Sequence, residues 1–203
     1  MAYVKAAERE QQIVASALQV LSNVGVPNTT LRMVAAEAGI PLGTLHYVFP
    51  SKDLLLRAVI NAVLDGVTAS FQMSIELDQG LEHALRTGVE NLWTEIVENK
   101  LGLQIMQYEL ALYSSRATDD RELARIALDR YADLLSDLCE KAASAAGETC
   151  AIDFATLGRL LLGTLDGMIL QLVAGGDRGR TRADLEHVIA MLVQYAAPAP
   201  RGP

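Results

Sequence analysis

Apolar residues recur at every third or fourth position along most of the chain, a spacing that places them on one side of a helix. The first such stripe runs over 6–24, ahead of Gly25 and Pro27. Two short stripes follow, one after the cap-type residues of 28–30 and one over 42–48. A fourth begins at Ser51. We therefore predict three helices within the first 50 residues and a longer helix over 51–74.

The same spacing continues to the end of the chain. It predicts five further helices, at about 78–98, 101–116, 119–146, 152–174 and 181–196. Thr181 and Asp184 have the spacing of a reciprocal N-terminal cap. No alternating run of β-branched residues separates these segments, and the proline-rich tail 198–203 is predicted to be disordered. The expected fold is all-α, with about nine helices.

The two short helices carry the pattern of a helix-turn-helix. Such a pair needs an apolar inner face, a small residue where the helices approach and a turn that tolerates positive φ. Ala35 and Gly39 supply the last two requirements. The inner apolar positions are Leu31, Val34, Ala38, Ile40, Leu45 and Val48. The outer face of 42–48 then presents small or hydrogen-bonding groups, which suit a DNA major groove.

The sequence in this region resembles a known family. Its ordered motifs are Thr29-Thr30-Leu31, Ala38-Gly39-Ile40, Gly43-Thr44-Leu45 and the run from Phe49 to Leu55 (FPSKDLL). Over about residues 8–60 they resemble the N-terminal domain of TetR/AcrR-type transcriptional regulators. The resemblance implies a homodimer with a helix-turn-helix DNA-binding domain over 1–50. It also implies a ligand-binding and dimerisation domain over 51–197, with 51–74 as the connecting helix and 152–174 and 181–196 as the dimerising helices.

The resemblance and the outer face together give a set of DNA-binding candidates: Thr30, Arg32, Pro41, Leu42, Gly43, Thr44, His46, Tyr47 and Lys52. Thr44 and Tyr47 are expected to touch base edges. Lys52, at the start of the fourth helix, is expected to hold a phosphate without reading sequence. Family members usually have tyrosine at the position of His46 and a polar or cationic residue at that of Val48, so we expect fewer phosphate contacts here.

The resemblance also places a ligand cavity among the later helices. Its candidate lining combines large apolar side chains with a few polar ones, and comprises Phe71, Trp93, Met106, Tyr108, Glu109, Tyr113, Asp166, Met168 and Gln171. Each is also an ordinary core residue type. Asp166 fits the dimer interface as well, where Gly163 and Gly167 would permit close approach. The expected effector is a largely apolar small molecule.

Charge is unevenly distributed. The 203 residues contain 17 basic and 25 acidic side chains, a formal net charge of −8. Residues 1–60 carry a net charge of +1 and the remainder −9. An acidic chain is a poor general nucleic-acid binder. This distribution of charge nevertheless permits a small DNA-reading module in the first 60 residues, with the acidic remainder of the chain repelled from phosphate.

Other functional classes find little support. The three histidines have no ligand spacing, the glycine-rich loop 175–179 lacks a phosphate-binding motif, and no catalytic constellation is apparent. We therefore expect no metal, no cofactor and no enzyme activity. Cys139 and Cys150 fit a reducing compartment, with inert packing favoured over a redox switch. No secretory signal is seen, and the apolar stretch 160–174 is too short to span a bilayer, so we expect a cytoplasmic protein.

These observations predict a ligand-responsive transcriptional regulator, a repressor released from a palindromic operator by a small molecule. Two alternatives remain open. One is an activator of the same fold, because the difference lies in operator position. The other is a small-molecule-binding or enzymatic helical protein that no longer binds DNA.

Overall fold

The computed structural model describes residues 2–74, 77–99, 101–116 and 121–202. Within them it contains nine α-helices, which confirms the predicted all-α fold. Their bounds are α1 Ala2–Val24, α2 Leu31–Glu37, α3 Leu42–Val48, α4 Lys52–Ser74, α5 Leu81–Leu92, α6 Leu101–Arg116, α7 Arg121–Ala145, α8 Phe154–Val173 and α9 Arg178–Ala196. A 3₁₀ turn, Leu77–Gln79, precedes α5, and a π-helical segment, Trp93–Glu98, extends it.

The chain divides into two compact units. The first comprises Met1–Gly66 and Gly102–Ala127, and the second comprises Val67–Leu101 and Leu128–Pro203. The first unit therefore contains α1, α2 and α3 together with nearly all of α6. The sequence-based division at residue 50 concerns function and stays a prediction.

In the first unit, α1 packs against α2 through the apolar stripe that the sequence predicted. Ile13 and Ala17 are fully buried and Leu21 nearly so. Burying three such side chains is a large contribution to the stability of this unit, because each removes most of its apolar surface from water. Gln12 of α1 adds a polar contact, since its amide donates to the carbonyl of Ala38 at 2.7 Å.

In the second unit, α7 and α8 approach each other closely at Gly158. A Cβ there would lie 2.5 Å from the carbonyl oxygen of Ala132. Only glycine allows this contact. The start of α5 is held by Glu148, whose carboxylate accepts a hydrogen bond from the Leu81 amide at 2.7 Å. This side chain satisfies one of the amides that every helix leaves unpaired at its N-terminus.

Two sequence-based predictions about this unit were wrong. The tail 198–203 is partly ordered, because Ala199–Pro200 (β2) pairs antiparallel with Glu148–Thr149 (β1). The Arg201 amide also donates to the carbonyl of Gly147 at 2.7 Å. Furthermore, Thr181 is not the N-terminal cap of α9: the helix begins at Arg178, and the Asp177 side chain caps it by accepting from the Arg180 amide at 2.8 Å.

Within the part of the chain that the structure describes, α8 is the one helix long and apolar enough to cross a membrane, judged by length and composition alone. Its 20 residues have one face in the core, and exposed Leu160 and Leu170 on another. Core helices of soluble proteins pass the same test. The expectation of no membrane span stays a prediction.

Candidate nucleic-acid interface

The helix α2 forms where the sequence provides an N-terminal cap. Thr30 has an extended backbone, and its hydroxyl oxygen accepts a hydrogen bond from the Met33 amide at 3.2 Å. Val34 and Ala35 then point into the core, with 0% and 3% exposure. Seven residues are too few for a stable isolated helix, so α2 depends on this packing.

The turn between α2 and α3 follows the predicted chemistry. Gly39 has a φ of +63°, which is the positive value that favours glycine. Pro41 has an extended backbone and immediately precedes α3. At the other end, Phe49 leaves the helical conformation and is buried. Both ends of α3 are thereby fixed.

The two sides of α3 differ sharply in exposure. Leu45 is fully buried, whereas Tyr47, two residues later, is 90% exposed. Gly43 and His46 are also exposed, and Thr44 and Leu42 are half-buried. A Cβ built on Gly43 would meet nothing within 4 Å. The outer face of α3 is therefore exposed, as is required of a helix that enters a DNA groove.

The remaining candidates around α3 lie on the same unit. Arg32 on α2 and Pro41 before α3 are exposed. Thr30 is exposed too, and because its oxygen accepts from Met33, its hydroxyl hydrogen stays available to donate. These residues thus combine a cation, a hydroxyl and small side chains, which are the groups that contact phosphates and base edges.

Lys52, at the start of α4, contacts two other residues of the protein. Its ammonium donates to the carbonyl oxygen of Val26 at 2.7 Å and lies 5.3 Å from the centre of the Tyr113 ring. Burial lowers the pKa of Lys52, and the nearby Asp53 carboxylate opposes that shift. The side chain is half-buried and already has protein partners.

Glu109, a ligand-pocket candidate, also contacts Val26. Its Oε2 accepts a hydrogen bond from the Val26 amide at 2.8 Å. Sequence patterns gave no signal for this contact, because residues 26 and 109 are far apart in the chain. Glu109 therefore belongs to the same unit as the helix-turn-helix, next to the loop between α1 and α2.

The other ligand candidates are divided between the two units. Met106, Tyr108 and Tyr113 lie in the first, with Met106 buried. Five lie in the second unit: Phe71, Trp93, Asp166, Met168 and Gln171. Trp93 and Met168 are buried, Asp166 is half-buried and Gln171 is exposed, so these side chains do not share one environment. Burial raises the pKa of Tyr131, and the negative charge of Asp166 raises it further. Phe71 lies in α4, but its side chain is outside the described residues.

A cavity lies within the second unit, between α5, α7 and α8. It holds about 370 Å³ of space not filled by atoms, part of it open to solvent. The lining is apolar apart from one thiol and consists of Ala84, Leu85, Gly88, Val89, Leu92, Leu135, Leu138, Cys139, Leu161 and Leu165. Burial raises the pKa of Cys139 to about 12, so this thiol is neutral near pH 7. None of these lining residues was among the predicted ligand residues, because their side chains are of ordinary core types.

No group of three or more metal-ligating side chains occurs among the residues that the structure describes. Both cysteines are free, with Cys139 buried and Cys150 half-buried. The arrangement of side chains in the first unit is that of a helix-turn-helix protein, a class that presents one short helix to DNA.

Comparison with known proteins agrees with that class. The family model described as bacterial regulatory proteins, tetR family, matches residues 13–59, which span the second half of α1, all of α2 and α3, and the start of α4. The chain is 26% identical over 167 residues to the nicotine-responsive transcriptional repressor HdnoR of Paenarthrobacter nicotinovorans, covering 82% of this chain and 84% of that protein. It is 28% identical over 179 residues to the transcriptional regulator BetI of Burkholderia cenocepacia, covering 88% and 89%.

Solved structures show the same fold over more than nine-tenths of the chain. A TetR transcription regulator from Haloarcula marismortui superposes with a TM-score of 0.73 at 21% identity, over 94% of this chain and 97% of that one. The multidrug binding protein EbrR, complexed with malachite green, gives a TM-score of 0.65 at 25% identity, over 93% and 98%. The chain is thus similar to tetR-family regulators over 13–59 and to transcriptional regulators along most of its length, and these likenesses support a DNA-binding transcriptional regulator of the TetR type.

Proposed function

We propose that the chain is a cytoplasmic transcriptional repressor and not an enzyme. It binds a palindromic operator as a homodimer, and a small molecule releases it from that operator. The observation that supports sequence-specific DNA binding is the contrast on α3 between buried Leu45 and Tyr47, which is 90% exposed. A large amphipathic side chain that is this exposed gains little stability from its position. It is well placed to contact bases or a thymine methyl group.

The roles within the interface follow from position. Thr44 and Tyr47 read base edges, while exposed Gly43 lets the DNA approach the backbone closely. His46 and Arg32 hold phosphates. Thr30, Pro41 and Leu42 complete the surface at the beginnings of the two short helices.

Selection of duplexes from a random DNA pool tests this assignment. The unmodified protein is expected to enrich one near-palindrome with half-sites about 34–36 Å apart. Tyr47→Ala is expected to lose this enrichment, whereas Gln19→Ala, an exposed change on α1, is expected to keep it. If folded Tyr47→Ala protein selected the same sequence with equal affinity, the reading role of α3 would be wrong.

A homodimer is supported by exposed apolar groups on the last two helices. Leu160, Gly163, Gly167 and Leu170 are spaced by three and four residues and share one face of α8. On α9, Met191 and Tyr195 are 53% and 54% exposed. Exposed apolar surface of this kind is typical of a subunit interface.

Sedimentation equilibrium tests the dimer. Leu170→Asp is expected to shift the protein to monomer, because a carboxylate would be buried in an apolar interface. Ala155→Asp introduces the same charge at an exposed position near the start of α8 and is expected to leave the dimer intact. A Leu170→Asp variant that stays dimeric would place the interface elsewhere.

The effector site is supported by the apolar cavity between α5, α7 and α8. A cation entering it would lose hydration without a carboxylate partner among the described lining, so we propose that the apolar part of the effector occupies it. The chain resembles a nicotine-responsive repressor and a malachite green-binding protein, which makes these two compounds the first probes.

Thermal unfolding with each probe tests the cavity. A bound compound is expected to raise the melting temperature of the unmodified protein and to weaken operator binding by about 5- to 150-fold. Ala84→Phe fills the cavity and is expected to abolish both effects. A compound that weakens operator binding equally in Ala84→Phe protein would act at another site.

Repression is supported by the similarity to HdnoR, which is a repressor. A reporter placed downstream of the selected operator is expected to be silenced by the protein and restored by the effector. Reporter expression that rises with the protein would instead identify an activator.

A further inference from the structure

One buried residue of the loop between α1 and α2 has both of its backbone polar groups bound by charged side chains. Val26 is 0% exposed. Its amide donates to Glu109 at 2.8 Å, and its carbonyl accepts from the Lys52 ammonium at 2.7 Å. Hydrogen bonds to charged groups are about twice as strong as neutral ones. The loop is thereby held from α6 on one side and from the first residue of α4 on the other.

The two charged side chains are connected by a third contact. Tyr113 lies one turn after Glu109 on α6, so the two side chains share a helix face. The Lys52 ammonium stands 5.3 Å from the centre of the Tyr113 ring, within the range of a cation–π interaction. We call Glu109, Lys52, Tyr113 and Val26 the Val26 clamp.

The loop itself is built to fit this clamp. Gly25 has a φ of +77°, and Thr29 is buried with its hydroxyl donating to the Gly25 carbonyl at 2.7 Å. Thr30, the next residue, caps α2. Only a few residues separate Val26 from the cap of α2, so a displacement of Val26 is expected to shift the helix-turn-helix as well.

We propose that Glu109 and Lys52 are positioning residues for DNA binding: together they fix the α1–α2 loop to α6, and Lys52 makes no phosphate contact. The reassignment of Lys52 follows from its partners. An ammonium that is hydrogen bonded to a buried backbone carbonyl and packed on an aromatic ring would have to give up both contacts to reach a phosphate. The clamp instead joins α6 directly to the α1–α2 loop, which precedes the helix-turn-helix.

The salt dependence of operator binding separates the two roles. Each phosphate contact contributes about 0.9 to the slope of log K against log salt, so losing one lysine per protomer from the DNA interface would lower a dimer's slope by about 1.8. A residue that acts only by positioning changes the affinity and leaves the slope unaltered. A purely structural role in folding would move neither quantity in folded protein.

The experiment measures anisotropy of a labelled operator duplex, selected by the unmodified protein, at five salt concentrations. Lys52→Met and Glu109→Ala are each expected to weaken binding by about tenfold with an unchanged slope. The double variant is expected to bind no more weakly than the weaker single variant, because both remove one clamp. Lys141→Met, the same exchange at an exposed position on α7, is the control for net charge. A slope reduced by about 1.8 in Lys52→Met protein, or losses that multiply in the double variant, would overturn the proposal.

Amide hydrogen exchange tests the clamp without DNA, so its outcome is distinct from a failure of operator selection. The Val26 amide is expected to be protected in the unmodified protein and to exchange at least tenfold faster in Glu109→Ala protein. Glu109→Gln keeps an acceptor oxygen and is expected to give an intermediate exchange rate. This conservative variant provides a test of the clamp even if Glu109→Ala protein does not fold. Equal protection of Val26 in all three proteins would overturn the proposal.

Discussion

Gly25 and Glu109 are in contact so close that no side chain fits between them: a Cβ on Gly25 would lie 2.9 Å from Oε2 of Glu109. Two independent constraints thus act on Gly25. One is its φ of +77°, and the other is the carboxylate that binds the neighbouring Val26 amide.

We predict that Gly25→Ala destabilises the protein more than Gly39→Ala does. Gly39 has a similar φ of +63°, but a Cβ on it would meet nothing within 4 Å, so its substitution costs only the backbone strain of about 1–2 kcal/mol. Gly25→Ala should exceed this by about 1 kcal/mol or more, since Glu109 must also move. Urea unfolding measures both.

The Glu109→Ala background provides the check on that prediction. Without the carboxylate, the excess cost of Gly25→Ala over Gly39→Ala is expected to disappear. If the excess persisted there, the contact with Glu109 would not be its cause.

The contrast on α3 leads to a second prediction, which separates stability from recognition. Leu45→Ala removes a fully buried side chain and is expected to lower the free energy of unfolding by about 2–5 kcal/mol. Tyr47→Ala should change it by less than about 0.5 kcal/mol, because Tyr47 is 90% exposed. Chemical denaturation of both variants is the measurement. A large stability loss in Tyr47→Ala would mean that this residue packs against protein, which would contradict its availability for DNA.

The sequence predicted the local features of the fold well. Helix periodicity located all nine described helices, and Gly39 identified the turn because positive φ is a property of one residue and its neighbours. It gave no signal where a contact joins distant residues. The contacts of Glu109 and Lys52 with Val26 could not be predicted, because only folding brings residues 26, 52 and 109 together. The pairing of Ala199–Pro200 was missed for the same reason.

A third prediction concerns the titration of Lys52. Burial lowers the pKa of this amine from its ordinary value of 10.5, with Asp53 opposing the shift. Between the folded and unfolded pKa values the unfolded chain binds more protons, so the contribution of Lys52 to stability rises with pH in that window. Nitrogen-detected NMR titration of the amine is expected to give a midpoint below 10.5. In Asp53→Asn protein a still lower midpoint is expected, because the carboxylate that opposes the shift has been removed. A midpoint at or above 10.5 in the unmodified protein would show that burial does not dominate.

A fourth prediction concerns the two thiols. Burial raises the pKa of Cys139 from 9.0 to about 12, with a smaller contribution from Cys150. Only the thiolate is alkylated, so at pH 8 the shift alone slows the reaction of Cys139 by about 1,000-fold. Iodoacetamide labelling followed by mass spectrometry is expected to modify Cys150, which is half-buried, well before Cys139. Since the folded pKa is the higher one, this group also makes stability fall as pH rises above about 9. Comparable labelling of both cysteines in folded protein would contradict the burial of Cys139.

The last prediction uses the glycine at which α7 and α8 meet. A Cβ on Gly158 would lie 2.5 Å from the Ala132 carbonyl and 2.9 Å from the Ser136 amide nitrogen, and both are backbone atoms that cannot rotate away. Gly158→Ala must therefore push the two helices apart, and we expect a loss of about 1–3 kcal/mol or more.

Gly66→Ala is the matched control, because Gly66 is an exposed position inside α4 with nothing within 4 Å. There the substitution is expected to stabilise the protein by about 0.5–1 kcal/mol, since alanine loses less conformational entropy in a helix than glycine. Opposite signs for the same chemical change, measured by urea unfolding at one protein concentration, would establish that close packing at Gly158 holds α7 against α8. If both variants were stabilised, α7 and α8 would have room for a methyl group at Gly158, and close packing there would not hold them together.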